Sequence, residues 1–253
     1  MHVLVTGASS GIGEAMARHW ASLGASLTIA ARREERLRAL ASDVDAEVFV
    51  RPTDLNDLSQ CGLLVEEAID ALGPIDVLVN NAGVQYVEPA AGVSPERITK
   101  LMTVDLLSPL HLMHHVLQGM LERKQGAIVN VSSMAGIIHT PGMAHYNGAK
   151  AGLAAASESM RVELEGSGVH ILTVYPGPVY SEMESAAREQ FDDSSAVERL
   201  PTGTPDELAR LVTAALDKRK PRVIYPKIYG FSRSARNISQ WFTDRFTPPL
   251  KDS

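Results

Sequence analysis

The chain predicts a doubly wound α/β fold, a parallel sheet of about seven strands with helices on both faces. Short β-rich runs alternate with longer segments of helical spacing, which implies parallel pairing through right-handed crossovers. The strands are apolar nearly throughout rather than alternating, as strands covered on both faces are. The first strand also runs straight into a glycine-rich turn that opens a helix.

The strands are read at HVLVT (2–6), SLTIAA (26–31), AEVFV (46–50), IDVLVN (75–80), GAIVNVS (126–132), VHILTVY (169–175) and RVIY (222–225). Between them, EAMARHWASLG (14–24) and the long PERITKLMTVDLLSPLHLMHHVLQGMLERK (95–124) carry helical spacing. Residues 176–205 hold Pro176, Pro178, Pro201 and Pro205 around a polar centre and read as a loop or lid. No repeat, low-complexity stretch or linker interrupts the chain. It is therefore read as one domain, 1–253, with a substrate lid at about 178–205 and a C-terminal amphipathic segment at about 227–247.

With 253 residues, 45% hydrophobic and 21% charged, the chain suits one soluble globular domain with a sizeable core. Its single cysteine, Cys61, excludes an intrachain disulfide, fits a reducing compartment and reads as a packed thiol. No leader with a charged start and an apolar run precedes the first strand, so a cytoplasmic location is expected. The apolar runs fall short of the ~20 residues of a membrane-spanning helix. A net charge of −6 argues against nucleic-acid binding. Residues 217–253 nevertheless carry nine Lys/Arg against three Asp/Glu, a local +6 that leaves −12 elsewhere.

The turn after the first strand reads TGASSGIG, with Gly7, Gly11 and Gly13 around Ser9, Ser10 and Ile12. Glycines here let backbone N–H groups approach a phosphate closely, and the helix start supplies partial positive charge. The strand–turn–helix context makes this a dinucleotide loop of Rossmann type. Near the end of the second strand, a carboxylate would accept hydrogen bonds from a ribose 2′-OH, whereas an arginine accommodates a 2′-phosphate. Ala31, Arg32 and Arg33 stand there, so NADP(H) is expected over NAD(H). A charge-assisted hydrogen bond of roughly 1.5–3 kcal/mol is enough to set that preference. Arg32 is read as the contact, because Arg33 begins RREERLRAL, whose charges have an ordinary solvated-face explanation.

SSMAG (132–136) follows the fifth strand, and YNGAK (146–150) follows Ser133 by thirteen residues. The i, i+4 spacing puts Tyr146 and Lys150 on one helix face. A phenol of pKa ~10 is a poor acid–base catalyst until a neighbouring cation favours its phenolate. Ser133 can hydrogen-bond a substrate oxygen and orient it.

With TGxxxGxG at 6–13, NNAG at 80–83, Ser133, Tyr146-xxx-Lys150 and PGPVYS at 176–181, the chain resembles the short single-domain branch of the short-chain dehydrogenase/reductase family over almost its whole length. The resemblance implies hydride transfer between a nicotinamide and a carbonyl or alcohol carbon, with Tyr146 as general acid/base, Ser133 holding the oxygen, and Lys150 lowering the Tyr146 pKa and binding the ribose. It also implies cofactor contacts from Asp54 and Leu55 beside the adenine, from Asn81, Ala82 and Gly83 along the cofactor, and from Pro176, Gly177, Val179 and Ser181 near the nicotinamide. A homodimer or homotetramer built on the helices near 95–123 and AKAGLAAASESMRVEL is implied as well, the alternative being that the same alanines pack inside one subunit. The sequence departs from the family at Asp105, in TVDLL, where the family usually has an asparagine thought to hold a water that serves a proton relay through the lysine. Asp105 is grouped with the catalytic residues and read as a near-isosteric change that leaves activity intact.

Met134, Ile137, Ile138, Met143, Tyr180, Met183 and Phe191 are read as lining an apolar pocket for a medium-to-large hydrophobic carbonyl compound. Length and glycine spacing argue against sugar-nucleotide epimerases. A noncatalytic nucleotide sensor on the same fold is the rival reading, set against the presence of Ser133, Tyr146 and Lys150 together. His111, His114 and His115 have helical spacing but no further ligand, and no metal is expected. In the tail, Ile228, Phe231, Ala235, Ile238, Trp241 or Phe242, and Phe246 form an apolar stripe with Arg233, Arg236 and Arg245 off it. Such a helix can rest on an anionic membrane. The commoner arrangement is packing over its own domain, over a substrate mouth or onto a neighbouring subunit.

Overall fold

The computed structural model describes residues 1–191 and 200–250. Seven parallel strands, β1 (His2–Thr6), β2 (Ser26–Ala31), β3 (Val48–Pro52), β4 (Val77–Asn80), β5 (Gly126–Val131), β6 (Val169–Pro176) and β7 (Arg222–Tyr225), lie in the order β3-β2-β1-β4-β5-β6-β7. The order reverses between β1 and β4, and that switch point leaves a crevice at the C-terminal strand ends.

Alternate strand residues feed two cores, which is why the strands are apolar on both sides. Val3, Val5, Ile29, Val79, Val129 and Val174 join Met16 and Trp20 of α1 (Gly11–Ser22), Leu37 of α2 (Glu34–Asp43) and Val212 of the helix Pro205–Asp217. Leu4, Leu78, Ile128 and Ile171 join Cys61 and Leu64 of α3 (Ser59–Leu72), Leu112 and Met113 of α5 (Ser108–Arg123), and Leu153 of α6 (Ala144–Glu163). Burial raises the Cys61 pKa, and the thiol lies 3.8 Å from the Ser108 carbonyl oxygen.

Three expectations are corrected. β3 begins at Val48 rather than residue 46, because its register pairs Leu27 with Val48 and Ala31 with Pro52; at the sheet edge Pro52 costs no ladder bond. The long helix is divided into α4 (Pro95–Met102), a π-helical turn Thr103–Leu107, and α5. Pro109 has no N–H to give the Asp105 carbonyl four residues back, and the wider turn accommodates that loss. The region read as a loop after β6 contains α7 (Glu182–Arg188), capped by Ser181 Oγ accepting from Glu184 N at 3.1 Å; the centre of the expected lid, 192–199, lies outside the described residues. The helix Pro205–Asp217 follows as α8.

The tail keeps its expected helical, amphipathic character. It is broken into α9 (Gly230–Ser234) and α10 (Arg236–Phe246), and its apolar stripe faces outward. Gln240 instead docks α10, accepting from His139 N at 2.7 Å and donating to His139 O at 2.8 Å. His111, His114 and His115 are exposed, and among the described residues no group of three or more His, Cys, Asp or Glu is placed to hold a metal.

Replacing Leu78, fully buried at the centre of the sheet, is expected to lower the unfolding free energy by about 2–5 kcal/mol in Leu78→Ala. Urea unfolding checks this, with an unchanged m-value marking a cavity effect.

Candidate active site

Thr6, the last residue of β1, ties the two halves of the crevice together. Its hydroxyl accepts from Asn81 N at 3.0 Å and Ala82 N at 3.1 Å and donates to Val79 O at 3.1 Å. The Asn81 side chain donates to Thr6 O at 3.0 Å and Gly7 O at 3.3 Å. Gly7, at φ +67, passes so close to β4 that a Cβ would lie 2.8 Å from Ala82 Cα, and at Gly13 a Cβ would collide with the Gly7 carbonyl and the Asn81 amide. Asn81 and Gly13 therefore shape the loop, and Gly7, Ser9, Ser10, Gly11, Ile12 and Asn81 itself border the cavity, with Ala82 and Gly83 beside it.

Both arginines after β2 border the cavity, in different ways. Arg32 lies at the cavity edge but is exposed. The half-buried Arg33 reaches back over the glycine loop, donating to Ser9 Oγ from Nε at 3.2 Å and from Nη2 at 3.0 Å, and to Ser10 Oγ at 2.7 Å. Its Nη1 also meets Glu182 at 2.9 Å, and Arg36 meets the same carboxylate at 2.6 Å. Arg33 is thus held by specific partners rather than standing as a free charge on a solvated face. Arg36 and Glu182 were not anticipated; the signal available was Arg36 one helical turn beyond Arg33. Asp54 sits at the cavity and accepts from Asn56 N at 3.0 Å, and the buried Leu55 lines the same wall.

Across the crevice, Tyr146 and Lys150 project from one face of α6, and Ser133 stands just beyond β5. Ser133 Oγ accepts from Ala135 N at 3.1 Å and lies 3.5 Å from Pro176 O. Lys150 Nζ is buried, 3.2 Å from Asp105 Oδ2, 3.2 Å from the Val131 carbonyl and 5.7 Å from the Tyr146 ring centroid. Asp105, fully buried in the π-helical turn, takes Val84 N on its other oxygen at 2.7 Å. A Cβ at Gly83 would lie 3.0 Å from Asp105 Oδ2. Glycine thus keeps room for this pair.

Burial is the largest influence on all three ionisable groups. It raises the Asp105 pKa, against the pull of Lys150 and Val84 N–H. It works to lower Lys150, but Asp105 and Tyr146 reverse that and leave Lys150 above its ordinary value. Tyr146 is raised by burial and by Asp105, with Lys150 and the Ser133 hydrogen bond opposing. Lys150 thus acts on Tyr146 in the expected downward direction, while burial, the largest influence, and the nearby carboxylate leave the phenol above its ordinary value. At neutral pH this arrangement holds a protonated phenol, a proton donor.

One cavity of about 640 Å³ joins the glycine loop to these groups. Pro176, Gly177, Val179 and Ser181 form part of its wall, as do Met134, Ile138, Met143, Met183 and Phe191. Ile137 does not; it packs inward with Met134, Ala154 and Tyr175. Tyr180 is 62% exposed and off the wall. Glu184, whose pKa burial raises against its Arg188 partner at 2.8 Å, adds a polar pair beside the apolar side. Phe242 and Phe246 line the mouth, so the tail does reach the cavity.

The sequence pattern of the short chain dehydrogenase family matches residues 1–192. A short chain dehydrogenase of Pseudocercospora fijiensis is 37% identical over 186 residues, 71% of this chain and 60% of that protein's length. The ketoacyl reductase HetN of a Nostoc species is 34% identical over 226 residues, covering 88% of this chain and 77% of HetN. A solved structure of a serine dehydrogenase in its closed form with NADP+ superposes at a TM-score of 0.75 with 29% identity, covering 85% of this chain and 88% of that one.

Thr6→Val is expected to strand two backbone donors, Asn81 N and Ala82 N, and so to lower stability by about 1–3 kcal/mol. Chemical unfolding measures the loss.

Proposed function

The chain belongs to the short-chain dehydrogenase family, and on that premise we propose that it exchanges hydride between NADP(H) and a hydrophobic ketone or aldehyde, or the corresponding secondary alcohol. The observation that carries this reading is the meeting, in one cavity, of the glycine-loop crevice with Ser133, Tyr146 and Lys150. The residues present fit the cofactor: a glycine loop that borders the cavity at Gly7 and Gly11, two serine hydroxyls, and an arginine fixed over them. When bound, the cofactor supplies or accepts the hydride. The chain's residues do the rest.

In reduction, Ser133 Oγ holds the carbonyl oxygen and Tyr146 donates its proton to that oxygen as negative charge develops. The raised Tyr146 pKa favours this direction, since a phenol must carry its proton to give it. Lys150, kept charged by Asp105, stabilises the phenolate left behind and donates to the cofactor ribose. Asp105 acts through Lys150 as a positioning residue. Arg33, supported by Arg36, receives the 2′-phosphate and sets the preference for NADP(H). Ser9, Ser10, Asp54, Leu55 and the 81–83 and 176–181 segments complete the cofactor wall.

Met134, Ile138, Met143, Met183 and Phe191 favour an apolar substrate. Assembly into a homodimer or homotetramer belongs to the same reading. It is supported by the exposed Leu107, Leu121 and Val162 on and beside α5 and α6. A cytoplasmic location is supported by the single free thiol at Cys61.

A panel of steroid, acyl-chain, quinone and xenobiotic carbonyl compounds with NADPH and NADH tests the proposal. At least one is expected to turn over with higher kcat/KM for NADPH. Arg33→Ala is expected to lose about one to two decades of kcat/KM with NADPH and little with NADH. Equal or better use of NADH by the unaltered enzyme would contradict the cofactor assignment, and a panel with no turnover would contradict the activity.

A further inference from the structure

We propose that the outward face of the C-terminal helices is a membrane-docking ridge that seats the mouth of the cavity on an anionic bilayer. The helix is held to the body by its polar side. Gln240 makes both bonds to the His139 backbone, Arg236 Nη2 approaches His139 Nε2 at 2.8 Å, and Arg233 Nη2 meets Glu158 at 3.2 Å. The side that amphipathic packing would normally bury points to solvent: Ile238 is 57% exposed, Trp241 58%, Phe242 51% and Phe246 62%. Three of these are rings in mutual contact, Trp241 lying 5.0 Å from Phe242 and 6.2 Å from Phe246 between centroids. Ile228 and Phe231, at 65% and 66%, extend the apolar surface toward β7.

Charge and position select the occupant. Of the basic residues between Lys227 and Phe246, Arg233 is paired with Glu158 and Arg236 turns to His139, which leaves the exposed Lys227 and Arg245 beside the outward face, with Asp244 as the one acidic residue of the segment, on a protein of net −6. An apolar face bearing Trp and Phe, flanked by basic residues on an otherwise acidic protein, fits the headgroup boundary of an anionic membrane. Phe242 and Phe246 belong both to the ridge and to the cavity mouth, and Met183 and Leu200, partly exposed, stand on the same wall. A second copy of the chain seated there would cover the mouth, whereas a bilayer would open it toward dissolved apolar compounds. That last advantage rests on the hydrophobic-substrate reading; the docking itself does not.

The chain's two tryptophans make the test direct, because Trp20 is buried at 1% exposure and Trp241 is not. The intact protein is mixed at low salt with vesicles of phosphatidylcholine alone or with phosphatidylserine. It is expected to co-sediment with the phosphatidylserine vesicles, to shift its tryptophan emission to the blue, and to be quenched by brominated acyl chains. Ile238→Ser combined with Trp241→Ser, and separately Arg245→Glu, are expected to weaken binding about tenfold or more while thermal unfolding stays unchanged. Failure to co-sediment with either vesicle, or binding unaffected by both variants, would overturn the proposal. So would self-association in sedimentation equilibrium that the double variant abolishes, since it would assign the ridge to a second copy. Because these readouts need no turnover, they fail or succeed independently of the proposed reaction.

Discussion

Lys150 and Asp105 form an ion pair whose side chains are 5% and 0% exposed, and the surrounding site is arranged to make that tolerable. Taking two charges out of water costs more than their attraction returns unless the remaining hydrogen-bonding capacity is met. Here Val84 N–H donates to one Asp105 oxygen and Lys150 donates to the Val131 carbonyl, while Asp105 Oδ2 is left to the Lys150 charge alone at 3.2 Å. Removing either partner would leave the other buried without its counter-charge. The pair therefore joins the π-helical turn, the chain leaving β4, the end of β5 and helix α6 around one point. Tyr146 feels both charges and stays protonated.

The second constraint is the closeness of β1 and β4 at the switch point. Thr6 and Asn81 satisfy backbone groups that a crevice would otherwise strand, and the glycines at 7 and 13 allow the approach. The arrangement leaves the loop edge free to meet a phosphate. Arg33 is held over that edge by two serine hydroxyls and shares Glu182 with Arg36. Glu182 begins α7, so this carboxylate links the cation site to the wall of the substrate side.

Features written in short stretches of sequence were legible. The glycine turn follows from its strand and helix, and the Tyr146–Lys150 face follows from i, i+4 spacing. Features set by distant partners were not. Neighbouring residues leaving a strand point to different sides, so which arginine turns inward depends on how α2 begins and on Ser9 and Ser10. The stripe on α10 gives amphipathic periodicity without saying which side docks; that was decided by Gln240 meeting His139 across 101 positions. Likewise Lys150 alone implies a lowered phenol. Burial and a carboxylate brought in from the π-helical turn reverse the direction.

The central claim is that the charge of Asp105 opposes the pull of Lys150 on Tyr146 and, with burial, keeps the phenol a proton donor. The pH dependence of kcat/KM for carbonyl reduction, in the unaltered enzyme and in Asp105→Asn, tests it most directly. Reduction needs the protonated phenol, so activity should hold below the Tyr146 pKa and fall above it. Removing the carboxylate lowers that pKa, so the alkaline fall should move to lower pH while the plateau near neutrality changes by less than a hundredfold. A fall that stays in place or moves to higher pH would contradict the account.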